Sequence, residues 1–230
     1  MSDFPFSTAL IVGAGPGISS SLARQLSAAG VKVGLAARNI DKLAPIAAET
    51  GARTFAADAA KPEAVAQLFA DADRHLGEPD VVIYNASARA PGPIAEINPE
   101  DLRRALEISA FGAFLVTQQA ARRMTPRGRG AILLTGATAG VKGFPLSAAF
   151  AMGKFALRGL AQSAARELGP KGIHVAHFVI DGGVRSATRP DSGDNMLDPD
   201  GIAQTYLDVL RQPRSAWSLE VEMRPWVEKF

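Results

Sequence analysis

The segment LIVGAGPGISSSLARQLSAAG, residues 10–30, decides the fold. Its first residues close an apolar run, TALIV (8–12), of the kind a buried β-strand requires. Gly13, Gly15 and Gly17 then crowd around Pro16, and Ile18, Leu22 and Leu26 recur at the spacing of one helical face. Strand, glycine turn and helix in direct succession make a phosphate-binding corner. Glycines let the backbone turn sharply and approach a pyrophosphate, while the helix start offers free N–H groups and the positive end of its dipole. A glycine turn by itself also serves as a plain tight connection; the strand before it and the helix after it favour the nucleotide. The spacing is not G-x-G-x-x-G, because Ile18 stands at the third glycine. It fits G-x-x-x-G-x-G, with Ser19 in the last place.

The same alternation continues along the chain. Strands are expected at 8–12, 31–37, 52–57, 80–85, 130–136, 174–180 and 218–223, most of them continuously apolar as buried parallel strands are. Helices are expected between them at 17–29, 40–50, 62–76, 98–125, 147–168 and 199–211. Asn98-Pro99 and Asp198-Pro199 each supply an N-cap followed by a first-turn proline. The order of elements predicts an α/β protein with a parallel sheet. The polar segment 185–196, RSATRPDSGDNM, gives little to pack and is expected to be a mobile loop.

Composition narrows the function. The 230 residues, 47% of them hydrophobic, suffice for one domain with a full core. Without cysteine there is no disulfide, thiolate nucleophile or thiolate metal site. His174 and His177 lie three apart on an expected strand and so face opposite ways, which argues against a shared metal; His75 suits the C-terminal end of a helix dipole. A net charge of +2 implies neither a nucleic-acid nor a membrane partner, and the arginines at 122, 123, 127 and 129 read as a solvated helix end. No run approaches the roughly 20 apolar residues of a membrane helix, and the first residues lack the pattern of a secretory signal. A soluble, cytoplasmic protein is expected.

Four further stretches carry a resemblance. They are Asp58 in AADAA, Asn85-Ala86-Ser87 after the fourth strand, Gly182 in IDGGVRS, and Phe150 with Lys154 in SAAFAMGK (147–154). With the glycine turn, they make the chain resemble the short-chain dehydrogenase/reductase family. Its T-G-x-x-x-G-I-G reads here Val12-Gly13-Ala-Gly-Pro-Gly17-Ile18-Ser19, its N-A-G ends in Ser87, and its P-G-x-x-x-T reads Asp181-Gly182 through Ser186. The resemblance implies a Rossmann-like, doubly wound sheet of seven parallel strands in one domain, 1–230. It implies a cofactor held by Gly13, Gly15, Pro16, Gly17, Ile18, Asp58 (near the adenine), Asn85, Ala86, Ser87, Lys154, Gly182, Val184 and Ser186. It also implies self-association, as a dimer or tetramer, through the helices 98–125 and 147–168.

Cofactor choice follows from the end of the second strand, Ala37-Arg38-Asn39. An acid there would accept from a ribose 2′-hydroxyl, whereas a guanidinium pairs a 2′-phosphate. With no acid before Asp41, Arg38 and Asn39 favour NADP(H) over NAD(H).

The family's working group resembles Asn, Ser and a Y-x-x-x-K pair. Lys154 matches the lysine, which holds the nicotinamide ribose and lowers the tyrosine's pKa. Phe150 takes the tyrosine position, Ala137 the serine position and Ser109 the asparagine position. A positioned acid or base contributes about 10²–10⁴ in rate and an oxyanion donor about 10²–10³. Tyr84, Ser147 and Asp181 are the candidates by position for a replacement donor, against structural roles as packed aromatic, helix N-cap and turn residue. Hydride transfer to a cationic acceptor such as an iminium needs no such donor. The expected function is an NADP(H)-dependent oxidoreductase acting on a small molecule with altered proton handling. The competing expectation is a nucleotide-binding sensor or scaffold without turnover.

Overall fold

Apolar runs shorter than eight residues, separated by amphipathic helices, leave a chain only one economical solution: strands side by side in the middle, helices covering both faces. The computed structural model describes residues 4–191 and 193–228, and it takes that form. The strands are β1 (Thr8–Val12), β2 (Lys32–Ala37), β3 (Arg53–Ala56), β4 (Val81–Tyr84), β5 (Gly130–Thr135), β6 (Ile173–Ile180) and β7 (Glu220–Met223). They form one seven-stranded sheet in the order β3-β2-β1-β4-β5-β6-β7, every pairing parallel. The order reverses between β1 and β4, so a crevice opens there at the strands' carboxyl ends.

The helices are α1 (Ile18–Ala28), α2 (Ala44–Thr50), α3 (Pro62–Leu76), α4 (Pro99–Leu106), α5 (Gly112–Arg127), α6 (Ala148–Leu168) and α7 (Pro199–Leu210). Leu22 and Leu26 of α1 pack with Tyr206 and Leu210 of α7 on one face of the sheet. On the other face Phe69 of α3, Val116 of α5 and Leu157 of α6 build the second core layer. Asn98 and Asp198 cap α4 and α7, their carboxamide and carboxylate oxygens accepting from the N–H of Glu100 and Asp200. Among the described residues no helix is long and apolar enough to cross a membrane.

Four expectations need correction. The helix expected at 98–125 is broken into α4 and α5 by a wider π-helical turn, Glu107–Phe111. Inside that turn the carbonyl of Ile108 accepts from the buried Tyr84 hydroxyl, and Gly112 makes room, since a Cβ there would lie 2.6 Å from that hydroxyl. Ser147 does not cap α6 with its side chain. The segment 185–196, whose residue 192 lies outside the described residues, is well tied. Asp191 accepts from the N–H of Gly193, Asn195 and Met196, and Arg185 pairs with Asp198 at 2.6 Å. Finally, the arginines near 122–129 are not merely solvated: Arg123 pairs with Asp73 at 2.8 Å, while Arg127 and Arg129 converge on Asp80.

Candidate active site

The glycine turn is shaped by one close approach. Gly13 has φ +80°, and a Cβ on it would lie 2.3 Å from the amide nitrogen of Ala86, so only glycine allows β4 to continue past β1 here. The N–H groups of Gly13 and Ala14 donate to the Ala36 carbonyl at 2.9 Å, which locks the turn to the end of β2. Asn85 ties the far side down by donating to the Ser19 hydroxyl at 2.8 Å. Gly15 and Gly17 differ from Gly13: a Cβ on either would meet no atom within 4 Å, so bare backbone is open at the start of α1, Gly15 fronting the cleft beside Gly13.

That cleft, of about 520 Å³, is lined by Gly13, Gly15, Pro16, Arg38, Asn39, Asp58, Asn85, Ala86 and Ser87, bringing together nine of the residues expected to hold a cofactor. Lys42 joins them, a residue the sequence reasoning passed over because it lies outside every family pattern. Arg38 makes no ion pair among the described residues, so its guanidinium is free for a ligand anion. The Asp58 carboxylate accepts from the N–H of Ala60 at 3.0 Å, and the Asn39 carbonyl oxygen from that of Asp41 at 2.9 Å. The remaining expected residues lie elsewhere. Ile18 and Val184 pack against the core, Gly17 and Ser186 line a separate groove beside α1 and α7, and Gly182 lines a second cavity.

The second cavity, about 390 Å³, is walled by Ala137, Thr138, Phe144, Leu146, Ser147, Phe150 and Ile180. Among the described residues Arg89 is its only charged lining residue. Leu146, a non-glycine residue at φ +63°, sits on its rim and accepts from the N–H of Gly92 at 3.1 Å. The Phe150 ring is 8% exposed and lies beneath the Arg89 guanidinium, whose carbon stands 4.0 Å from the ring centre.

Lys154 is buried at 3% exposure and lines none of these cavities. Its Nζ donates to the Thr135 carbonyl at 2.7 Å and stands 5.7 Å from the centre of the Phe150 ring. Burial, and then the positive charge of Arg89, push the amine down to about 7. Ser109 is buried as well: its hydroxyl accepts from the Ala88 N–H at 3.1 Å, and it packs so close to Gly153 that a Cβ there would be 2.7 Å away. Its role in this arrangement is to pin the loop that carries Arg89.

The candidate proton donors divide. Tyr84 is fully buried, its hydroxyl committed to the Ile108 carbonyl, and burial followed by the Asp58 charge push its pKa upward; it faces no cavity. The Asp181 carboxylate accepts from the Thr138 hydroxyl at 2.6 Å and pairs with Arg224 at 3.5 Å. Ser147 alone lines the second cavity, half-buried and with no hydrogen-bond partner for its hydroxyl among the described residues. His174 stacks on Trp217 and His177 pairs with Glu220, both beside β7 and away from the cavities.

Comparison with known proteins agrees with this geometry. The short chain dehydrogenase family matches residues 7–196. A short-chain dehydrogenase/reductase of Armillaria gallica is 35% identical over 180 residues, 74% of this chain and 68% of its own. A short-chain dehydrogenase structure from Rhodopseudomonas palustris is 37% identical, covering 96% of this chain and 99% of its own with a TM-score of 0.85. A metagenomic short-chain oxidoreductase solved in complex with NADP is 26% identical over 96% of this chain and 98% of its own, again with a TM-score of 0.85. Sheet order, glycine turn and sequence likeness thus converge, and the chain belongs to the short-chain dehydrogenase family.

Proposed function

We propose that the protein is an NADP(H)-dependent oxidoreductase that transfers hydride to or from a small organic substrate with an altered acid–base group. The observation that carries this reading is the cleft at the start of α1, where bare glycine backbone faces Arg38 and Lys42. The glycine turn suits a pyrophosphate, and the two cations suit a ribose 2′-phosphate. The relative solved with NADP supports the same choice.

When bound, the cofactor supplies or accepts a hydride at its nicotinamide ring. The chain's own residues bind, orient and handle the proton. Phe150 stands at the family's tyrosine position and Ala137 at its serine position, so neither offers a hydroxyl to a substrate oxygen. Lys154 is the titrating group left beside Phe150, and an amine with a pKa of about 7 is half-protonated at neutral pH. It can hold a proton there, at Nζ. Substrates already cationic at the acceptor atom, an iminium above all, need no proton there and so do not depend on the missing hydroxyls. The half-exposed Phe111, Phe114, Met152 and Phe155 on the π turn, α5 and α6 support self-association through that side, as a dimer or tetramer.

Stopped-flow NADPH oxidation tests the reading, with matched ketones and imines, on the native chain and on Phe150→Tyr combined with Ala137→Ser. The native chain is expected to bind NADPH and to reduce imines faster than ketones. The double variant is expected to gain about 10²-fold or more on ketones. Binding without oxidation by either panel would leave a cofactor-binding protein without turnover. Fast ketones with silent imines in the native chain would overturn the altered acid–base group.

A further inference from the structure

The second cavity is lined by a cation, Arg89, that no carboxylate among the described residues pairs with. Arg89 follows β4 on the loop Ser87–Pro91, which is held in place twice: the Ala88 N–H donates to the buried Ser109 hydroxyl, and the Gly92 N–H donates to Leu146 across the cavity mouth. The guanidinium therefore does not wander with a free loop. Its carbon lies 4.0 Å over the centre of the Phe150 ring, a cation–π contact that engages the positive charge and uses no acceptor. Among the described residues Arg89 makes no ion pair and donates to no protein acceptor. Glu96 and Asp101 border the neighbouring cavity that Arg89 also touches, yet neither pairs with it. Arg89 adds to burial in lowering the pKa of the Lys154 amine, as one positive group acting on another.

Helices α4 and α5 and strand β5 separate Arg89 from Phe150 in the chain, so the fold brings them together from a distance. The charge has a clear use only if something negative enters. We propose that the second cavity binds a small organic carboxylate, its anionic group paired with Arg89 and its apolar body lying on Phe144, Leu146 and Phe150. A single guanidinium matches a monoanion, in the bidentate geometry that carboxylates adopt with arginine; a phosphate dianion would be left under-neutralised. The Ser147 hydroxyl is placed as a second donor within the same cavity. A volume of about 390 Å³ restricts the ligand to a compact molecule. The inference rests on reading this cavity as the substrate side of the NADP(H) site, and it names the substrate class that reading leaves open: a carboxylate-bearing carbonyl or imine compound.

The test is calorimetric titration of the NADP⁺-saturated protein with acetate, 2-oxobutanoate, benzoate and phenylpyruvate, each beside its neutral amide. At least one carboxylate is expected to bind about tenfold or more tightly than its amide, the size of a lost charged hydrogen bond. Arg89→Gln is expected to erase that preference, Arg89→Lys to keep part of it, and both to bind NADP⁺ within about threefold of the native chain, because Arg89 lies outside the cofactor cleft. The proposal is overturned if NADP⁺ binds and no carboxylate is preferred to its amide, or if the preference survives in Arg89→Gln. Failure to bind NADP⁺ would instead refute the cofactor reading, and the same carboxylate titration on the free protein, judged by the same preference and its loss in Arg89→Gln, would then decide this proposal separately.

Discussion

Replacing Lys154 by methionine removes a charge from the interior while keeping the length of the side chain, and the pH dependence of the result can be worked out in advance. The amine titrates near 10.5 in an unfolded chain and at about 7 in the folded one. Below pH 7 both forms carry the proton, and the folded state bears the whole penalty of a buried ammonium. Over 3.5 pH units, at about 1.4 kcal/mol each, that penalty is about 5 kcal/mol, an upper figure that the bond to the Thr135 carbonyl already tempers. Between pH 7 and 10.5 the unfolded chain still holds a proton that the folded chain has released. Stability therefore rises with pH across this window, and from pH 7 to pH 9 the gain integrates to about 2 kcal/mol. Lys154→Met lacks the group and lacks the rise.

Urea unfolding followed by circular dichroism, at pH 6, 7, 8 and 9 and one protein concentration, measures the difference between the two chains. Most other ionisable groups cancel in that difference; His177, whose pKa is lowered mainly by burial and slightly by Lys154, is the neighbour to watch at the acid end. The variant is expected to be the more stable chain at pH 6, with its advantage shrinking by about 2 kcal/mol between pH 7 and 9. A constant difference across the series, or an advantage that grows with pH, would refute a lysine titrating near neutrality and with it the proton-holding role given to Lys154.

Other perturbations separate the parts of the site. In Arg89→Gln the second cause of the lowered amine disappears, so the stability rise measured above is expected to begin at a higher pH; an unchanged onset would show that the two cations do not feel one another. Gly13→Ala places a Cβ 2.3 Å from the Ala86 nitrogen at φ +80°, and thermal unfolding is expected to show a loss of about 3 kcal/mol or more, whereas a shift of a degree or two would contradict the close approach. Gly15→Ala meets no atom within 4 Å, so its melting temperature is expected to hold while NADPH affinity falls by about tenfold through crowding of the pyrophosphate, read by fluorescence titration. Arg38→Ala with Lys42→Ala is expected to weaken NADPH by about tenfold to a hundredfold and to leave NADH nearly unchanged; equal losses for both cofactors would sink the 2′-phosphate assignment.

Why some of this was readable in the chain and some was not is a matter of range. The strands β1, β4, β5 and β6 are buried along their whole length, and that double-sided burial forces continuous apolar runs which announce themselves. Edge strand β7 has exposed and half-buried residues in alternation, so its boundary is faint in sequence and it begins two residues after the expected 218. The glycine turn was legible because its demands are local: a positive φ, a helix start and a strand end lie within a few residues of one another. The π turn at Glu107–Phe111 was not. Its cause is Tyr84, more than twenty residues away, whose hydroxyl reaches the Ile108 carbonyl, and nothing in EISAF itself signals a widened helix.

The site divides along the same line. Arg38 could be judged from the sequence because it directly follows β2, whose end is bonded to the glycine turn. Lys42 reaches the same cleft only because a short 3-10 turn, Asp41–Leu43, curls it back, and that curl is invisible in composition. Phe150 and Lys154 were found as a spaced pair, but the fact that decides their chemistry came from outside the pair. Burial depresses the amine first and Arg89, carried in from the β4 loop to cover the ring, does so second, while the Ser109 hydroxyl accepts from the Ala88 N–H of that loop. A lysine four residues after a phenylalanine is in sequence only half a motif. Buried, and near a guanidinium that no carboxylate among the described residues pairs with, its amine is pushed down to about 7.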